Sequence, residues 1–397
     1  MPQLSAHSQG LPASSIRKLS GLAEDTKKRG IDVIHLNIGQ PDIAAPKAAL
    51  EAVENSTLDL LPYGPSQGTE ELRTLFCAYY AQHQVAVAPE DILVTQGASE
   101  GIQFVCAVLC NPGDEIIVPD PSYANYYGFA AASHVTITPV LSTLQQGFQL
   151  PPIENIKAAF TQKTKAILIC NPSNPTGYVY SKFEIEQLCA LAYEQDCFLI
   201  VDEVYREFIY DASEHYSVLR DPKWAAHTIM LDSVSKRYSM CGARVGCIVS
   251  RNKEFMATAL KFAHLRLSTP TYATLATAAA LKAPQTYFDS ILEEYQKRRA
   301  VLIEGLNRIP KIEFSQPKGA FYCMVALPVD DAEDFVRFLL TSFHLNNTTA
   351  MFAPAAGFYA QPAVGKNQIR IAFIQKEARL KQAIEILKKG LEAYCNS

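Results

Sequence analysis

The sequence lacks the features that would link it to a membrane or to nucleic acid. No apolar run approaches the roughly 20 residues that a membrane-spanning helix needs, and residues 1–15 have no apolar core of the kind found in a secretory signal. The 36 Lys and Arg residues nearly balance the 40 Asp and Glu residues, so the net charge is only −4. We expect a cytoplasmic protein with neither a membrane nor a nucleic-acid partner.

Metal-binding and disulfide patterns are missing as well. The ten cysteines include no Cys-x-x-Cys pair, and the eight histidines have no metal-ligand spacing. Scattered cysteines of this kind are typical of free thiols in a reducing compartment. The sequence therefore predicts no metal site.

Short apolar runs alternate with helical patterns through the first part of the chain. The runs are rich in β-branched residues and bounded by Gly, Pro or Asn, which is typical of buried strands. We predict strands at Ile92–Thr95, Glu115–Pro119, Ala166–Cys170, Phe198–Asp202, Ile229–Asp232 and Cys247–Ser250. Between them lie helices such as 182–195, where Ser181 and Glu184 form a capping box. This alternation predicts an α/β fold with a mostly parallel sheet sandwiched by helices.

The pattern changes after Pro284. One long amphipathic helix is predicted over 288–309, followed by strands at 321–327 and 368–373, with a helix beginning at Asp331 and a final helix at Lys376. A chain of 397 residues exceeds the usual size of one domain. We expect an N-terminal segment (1–45) packed with a smaller α+β domain (286–397), and a large domain (46–285).

Lys236 is the first candidate for chemistry. A lone lysine is most often an exposed residue, but this one follows a predicted strand and has unusual neighbours. Ser233 and Ser235 supply hydroxyls, Arg244 supplies a cation, and nearby glycines permit close backbone approach. A lysine that is partly desolvated and near other cations has a lowered pKa, which suits it to Schiff-base formation.

A helix N-terminus is predicted just after the strand 92–95. Gly97, Ala98 and Ser99 open this helix, and the free N–H groups of its first turn favour an anion such as phosphate. Ser99 is equally compatible with an ordinary first-turn position. The segment lacks the lysine of a P-loop, which disfavours a nucleoside triphosphate.

Two more polar groups follow predicted parallel strands. Asp202 ends the strand 198–202, with Tyr205 three residues later, and Asn174 follows the strand 166–170. Open α/β proteins bind ligands at this edge of the sheet, and a buried carboxylate can keep a pyridine nitrogen protonated. The alternatives are a helix cap or loop carboxylate for Asp202 and turn chemistry for the Asn-Pro steps around Asn174.

Arg370 lies within the predicted strand 368–373 of the smaller domain. An arginine on the inner face of a strand needs an anionic partner, and its planar guanidinium binds carboxylates in a bidentate manner. A substrate carboxylate and a structural salt bridge are both compatible with this position.

Together these residues resemble the class I/II aminotransferases of pyridoxal-phosphate fold type I. The resemblance extends from Asn37–Asp42 to Arg370, and its most specific part is Ser233-Val-Ser-Lys236 with Arg244 eight residues later. It implies pyridoxal 5′-phosphate as the cofactor, an L-amino acid and a 2-oxo acid as substrates, and a homodimer with shared active sites.

The resemblance also implies a role for each residue. Lys236 would form the Schiff base and shuttle protons, Asp202 would pair with the pyridine nitrogen, Asn174 and Tyr205 would bind the ring hydroxyl, and Tyr123 would stack on the ring. The remaining implied roles are phosphate binding by Gly97, Ala98, Ser99, Ser233 and Arg244, contact of Tyr63 with the neighbouring subunit's phosphate, and substrate binding by Gly39, Asn174 and Arg370.

The implied reaction is a ping-pong amino transfer, with aspartate and 2-oxoglutarate as the leading substrate pair. Ser99 occupies the position where one aspartate-using branch has a lysine, and Arg266 is either a second carboxylate reader or a salt-bridging helix residue. A carbon–sulfur β-lyase, an aromatic or alanine-type aminotransferase, and a non-catalytic pyridoxal-phosphate-binding regulator remain alternatives on the same fold.

Overall fold

The computed structural model describes residues 2–12, 14–211 and 213–396. Its helices are α1 (Ala6–Gln9), α2 (Ser20–Lys28), α3 (Lys47–Glu54), α4 (Glu70–Gln82), α5 (Ala98–Leu109), α6 (Asn125–Ala132), α7 (Ile153–Ala158), α8 (Lys182–Glu194), α9 (Val234–Arg237), α10 (Lys253–Arg266), α11 (Thr271–Ala280), α12 (Gln285–Leu306), α13 (Ala332–Thr341) and α14 (Glu377–Cys395). Its strands are β1 (Asp32–His35), β2 (Ile92–Thr95), β3 (Glu115–Asp120), β4 (Thr136–Leu141), β5 (Thr164–Cys170), β6 (Phe198–Asp202), β7 (Thr228–Ser233), β8 (Gly246–Val249), β9 (Glu313–Phe314), β10 (Tyr322–Ala326), β11 (Thr348–Met351), β12 (Ala353–Pro354) and β13 (Gln368–Ala372).

The main sheet has seven strands in the order β2-β8-β7-β6-β5-β3-β4. Strands β7, β6, β5, β3 and β4 run parallel, whereas β8 is antiparallel to both of its neighbours. The predicted α/β class with a mostly parallel sheet is confirmed.

Both faces of this sheet are buried. Successive side chains of a strand point to opposite faces, and those on each side belong to an apolar cluster. In β5, Leu168 belongs to one apolar cluster, while Ile167 and Ile169 belong to another on the opposite side. The same division separates Ile200 from Leu199 in β6. Helices must therefore cover both faces, which explains the near-continuous apolar runs of these strands.

Two smaller sheets are built largely from the last part of the chain. Strands β12-β13-β10-β9 form an antiparallel sheet, and β1 pairs in parallel with β11. The backbone of Leu36 continues this second pairing by donating to Met351, and its carbonyl accepts from Ala372. The N-terminal strand thus lies beside C-terminal strands, while the exact division into domains stays a prediction.

Element boundaries agree with the sequence where the pattern was strong. Strands β2 and β6 have the predicted bounds, and the other predicted strands differ by one or two residues. Strand β4 was not predicted, because most of its side chains are only partly buried or exposed. In α12, Arg298 is buried, and it binds both Asp42 and Glu294.

Within the described residues, no helix combines the length and the apolar character needed to cross a membrane.

The capping box of α8 gives a test of local stability. The Ser181 hydroxyl accepts from the Glu184 backbone N–H, and the Glu184 carboxylate accepts from the Ser181 N–H. We expect Ser181→Ala to lower the free energy of unfolding by about 1 kcal/mol, measured by urea denaturation. Ser181→Thr retains the cap and should stay near wild type, so an equal loss in both variants would contradict the capping account.

Candidate active site

A cavity of about 640 Å³ opens at the carboxyl ends of β5, β6 and β7. Residues from distant parts of the chain meet there, because the small antiparallel sheet covers this edge of the main sheet. The predicted site residues that line the cavity are Gly39, Ala98, Ser99, Tyr123, Asn174, Asp202, Tyr205, Ser233, Lys236, Arg244 and Arg370.

Lys236 lies on the short helix α9, directly after β7. Its Nζ donates to the carbonyl of Gly39 at 2.9 Å. Burial lowers the pKa of the Lys236 ammonium, and the positive charges of Arg370 and Arg244 act in the same direction. A lysine in this environment loses its proton more easily than an exposed lysine, which favours the nucleophilic neutral amine.

Asp202 is buried at the end of β6. One carboxylate oxygen accepts from the Tyr126 hydroxyl at 2.8 Å, and the other accepts from the Val204 N–H at 3.3 Å. Burial raises the pKa of Asp202 to about 6, although both hydrogen bonds oppose this shift. A carboxylate held in this way would be stabilised by a cationic partner in the cavity.

Arg370 enters the same cavity from β13. Its guanidinium donates to the Asn174 side-chain oxygen at 2.9 Å and to the backbone carbonyl of Asn37, while its Nε has no hydrogen-bond partner among the described residues. It also lies over the rings of Tyr322 and Phe358, with centroid distances of 4.4 and 4.7 Å. No carboxylate neutralises this buried cation within the described part of the chain, which leaves it free for an anionic ligand.

The start of α5 and Arg244 form a cluster of donors on another wall. Gly97 is the N-cap with φ +77°, and a Cβ at this position would lie 2.5 Å from an Arg244 nitrogen. A glycine is therefore required where the backbone passes the guanidinium. The Ser233 hydroxyl also lines the cavity. It donates to the Val245 carbonyl at 2.9 Å and lies 2.8 Å from the Ser235 hydroxyl.

Tyr63 and Arg266 lie outside this cavity. Tyr63 is 80% exposed, so it takes no part in the site formed by its own chain. Arg266 donates to the carbonyls of Ser66 and Val94 and lies 3.7 Å from Glu100. Of the two interpretations of Arg266, the structure favours the structural salt bridge over the carboxylate reader.

Several residues that line the cavity or bind a lining residue were not predicted from the sequence. The Tyr322 hydroxyl lies 2.9 Å from that of Tyr205, and Tyr126 binds Asp202. Tyr126 follows Tyr123 at helical spacing, which is a signal that could have been used. Tyr322 lies in a predicted strand, but its approach to Tyr205 depends on a pairing of distant segments. Arg17 also lines the cavity, from a segment without any motif.

The family model described as aminotransferase class I and II matches residues 31–387. The chain belongs to this family. Its members include an aspartate aminotransferase from Bacillus sp. (strain YM-2), which is 29% identical over 94% of this chain and 95% of its own length.

Solved structures of other aminotransferases have the same fold. An aspartate aminotransferase from Thermus thermophilus with maleate has a TM-score of 0.89 at 27% identity, covering 98% of this chain and 100% of its own. An alanine aminotransferase from Pyrococcus furiosus has a TM-score of 0.90 at 29% identity, with the same coverage of both chains. The similarity covers almost all of the chain. The two solved structures are named for different substrates, aspartate and alanine.

The raised pKa of Asp202 gives a pH-dependent test on the cofactor-free protein. Its native pKa of about 6 exceeds the ordinary value of 3.8, so it contributes stability at low pH that is lost as the pH rises through about 6. We expect Asp202→Asn to be more stable than wild type above this pH, by roughly 3 kcal/mol.

Urea unfolding across the pH range measures this difference, which should shrink as the pH falls towards 4. Asp196→Asn, at an exposed turn, is the matched control and should stay parallel to wild type. A pH-independent difference between wild type and Asp202→Asn would contradict the interpretation.

Proposed function

We propose that this aminotransferase binds pyridoxal 5′-phosphate in the cavity and uses it to move the amino group of an L-amino acid to a 2-oxo acid. The observation that carries the proposal is the meeting of Lys236, Asp202, Arg244 and Arg370 in one cavity. An aldehyde cofactor with a basic ring nitrogen and a phosphate needs an amine, a carboxylate and a phosphate-binding cation. Arg370 then remains for the carboxylate of the substrate.

The residues present fit this cofactor. The cavity volume falls within the range of small-molecule sites, and the first turn of α5 offers backbone donors at Ala98 and Ser99. These donors, together with Ser233 and Arg244, would hold the phosphate. Tyr123 would stack on the ring, while Asn174 and Tyr205, whose polar atoms lie 3.5 Å apart, would bind the ring hydroxyl.

Bound pyridoxal phosphate supplies an electron sink that stabilises negative charge at the substrate α-carbon. The Asp202 carboxylate would keep the ring nitrogen protonated through charge pairing. The Lys236 amine would hold the cofactor, be displaced by the substrate amine, and then take the proton from the α-carbon. Its lowered pKa supports this role, because the neutral amine is the form that accepts a proton.

Arg370 would position the amino acid by binding its α-carboxylate. The guanidinium is held by Asn174 and Asn37 and packs on two aromatic rings, so its direction is set before the substrate arrives. Such preorganisation would orient the α C–H bond relative to the ring and lower the entropic cost of reaction.

Aspartate and 2-oxoglutarate are the substrate pair that we favour. Several relatives of similar identity carry the name aspartate aminotransferase, and the solved Thermus structure contains maleate, a dicarboxylate. The alanine aminotransferase among the solved structures keeps a small aliphatic donor as the second candidate.

We further propose a homodimer in the cytoplasm. Tyr63 and its neighbours Leu60 and Leu61 are 80%, 73% and 53% exposed in the single chain. Exposed apolar side chains of this size are typical of protein interfaces. Such an interface would bring Tyr63 to the phosphate of the neighbouring subunit. The scattered cysteines support a reducing compartment.

Lys236→Ala should abolish the half-reaction with every amino acid, because it removes both the cofactor linkage and the proton carrier. The measurement is the 2-oxo acid formed when amino acid is added to protein incubated with the cofactor, together with circular dichroism to verify folding. Lys18→Ala, on the surface, is the control. Normal turnover by folded Lys236→Ala protein would refute the proposal.

Shared active sites predict complementation between two inactive variants. In a mixed dimer of Tyr63→Ala and Lys236→Ala chains, one site regains both wild-type residues. Random pairing should therefore restore about a quarter of the wild-type activity, measured after co-refolding. Failure to exceed the sum of the two parental activities, with mixed dimers shown by mass spectrometry, would contradict shared sites.

A further inference from the structure

More cationic than anionic side chains line the cavity. Among its described lining residues, the cations are Arg17, Lys236, Arg244 and Arg370, whereas Asp202 is the single carboxylate. The proposed function uses three of these cations, for the aldehyde, the phosphate and the substrate α-carboxylate. Arg17 is left without a role, although it lies in the same cavity.

Arg17 has no ion pair and no side-chain hydrogen bond with any described residue. The adjacent Lys18 differs, because its Nζ binds the Glu333 carboxylate at 2.8 Å. Both side chains are exposed, but they differ in their partners. Lys18 is paired with a carboxylate, whereas Arg17 lies at the cavity without an ion pair among the described residues.

The segment that carries Arg17 is attached to the proposed carboxylate site. The Asn37 side-chain amide donates to the Ile16 carbonyl at 2.9 Å, while the Asn37 backbone carbonyl accepts from Arg370. Ser15 packs closely against Gly357, where an added Cβ would lie 2.4 Å from the serine Cβ. Asn37 therefore links the backbone beside Arg17 to the guanidinium of Arg370.

Tyr123 lies near both Arg17 and Arg370. Burial raises the pKa of Tyr123, and the positive charges of Arg370 and Arg17 both oppose this shift. Both guanidinium groups therefore lie near one phenol at the cavity wall.

We propose that Arg17 binds a second anionic group, the side-chain carboxylate of a dicarboxylic substrate. This assignment rests on the proposed function and deepens it by naming the residue that binds the second carboxylate. The other candidates for this task do not offer a free cation in the cavity. Ser99 is neutral, and Arg266 is bound to Ser66 and Val94 outside the cavity. A bidentate guanidinium–carboxylate contact would supply the discrimination.

The test uses two unreactive acids of equal chain length on the cofactor-loaded enzyme. Succinate has two carboxylates and butyrate has one, so their ratio of dissociation constants reports the second carboxylate alone. Isothermal titration calorimetry at constant ionic strength is applied to wild type, Arg17→Gln and Lys18→Gln. The last variant controls for the loss of one nearby positive charge.

We expect wild type and Lys18→Gln to bind succinate on the order of tenfold more tightly than butyrate, and Arg17→Gln to lose this preference. An unchanged preference in Arg17→Gln, or the absence of a preference in wild type, would overturn the assignment. Absence of the preference in wild type would also count against the dicarboxylic substrate pair. The proposed amino transfer itself would fail separately, if no amino acid, alanine included, converted the cofactor in the half-reaction.

Discussion

In the main sheet Cys170 lies beside Asp202, and Asp202 lies beside Leu231. This register makes β5 and β6 end level with each other, and β7 ends two residues further on. The segments that follow these strands carry Asn174, Tyr205 and Lys236 to one edge. Parallel strands buried on both faces cannot slip by one residue without exchanging their two apolar clusters. The packing of the core therefore determines the positions of the polar groups at its edge.

The cavity holds charges that an isolated protein would bury at a cost. Asp202 and Arg370 are almost inaccessible to solvent. Burial raises the pKa of Asp202 and lowers the pKa of Arg370, so it disfavours the charged form of each. Removing an ion from water without a charged partner destabilises the folded state. The rest of the fold must offset this cost, and the proposed cofactor and substrate carry the opposite charges that would relieve it.

Other buried ions in the same region are paired. Arg237, the residue after Lys236, forms an ion pair with Asp232, and Arg206 forms one with Glu203. All four side chains are fully buried. These charges are neutralised by partners within the chain. Asp202 and Arg370, by comparison, form no ion pair among the described residues. Lys236 therefore lines the cavity, while the next residue, Arg237, is neutralised by Asp232.

The sequence predicted those parts of the molecule that depend on local pattern. Strand β6, the capping box of α8 and the order of Asn174, Asp202 and Lys236 can all be recognised within short segments. Tyr322 and Arg17 could not be recognised, because their positions depend on β10 pairing with β13 and on Asn37 binding Ile16. The antiparallel direction of β8 also depends on tertiary packing. The positions of Tyr322 and Arg17 are determined by contacts between segments that are distant in the sequence.

The central claim is that Lys236 carries the cofactor, and reduction of the loaded enzyme with borohydride tests it most directly. Reduction makes the bond between cofactor and lysine permanent, and peptide mapping by mass spectrometry then locates it. The account predicts one modified peptide per chain, with the added mass on Lys236. Modification of another lysine, or none at all in an enzyme that retains its cofactor absorbance, would contradict it.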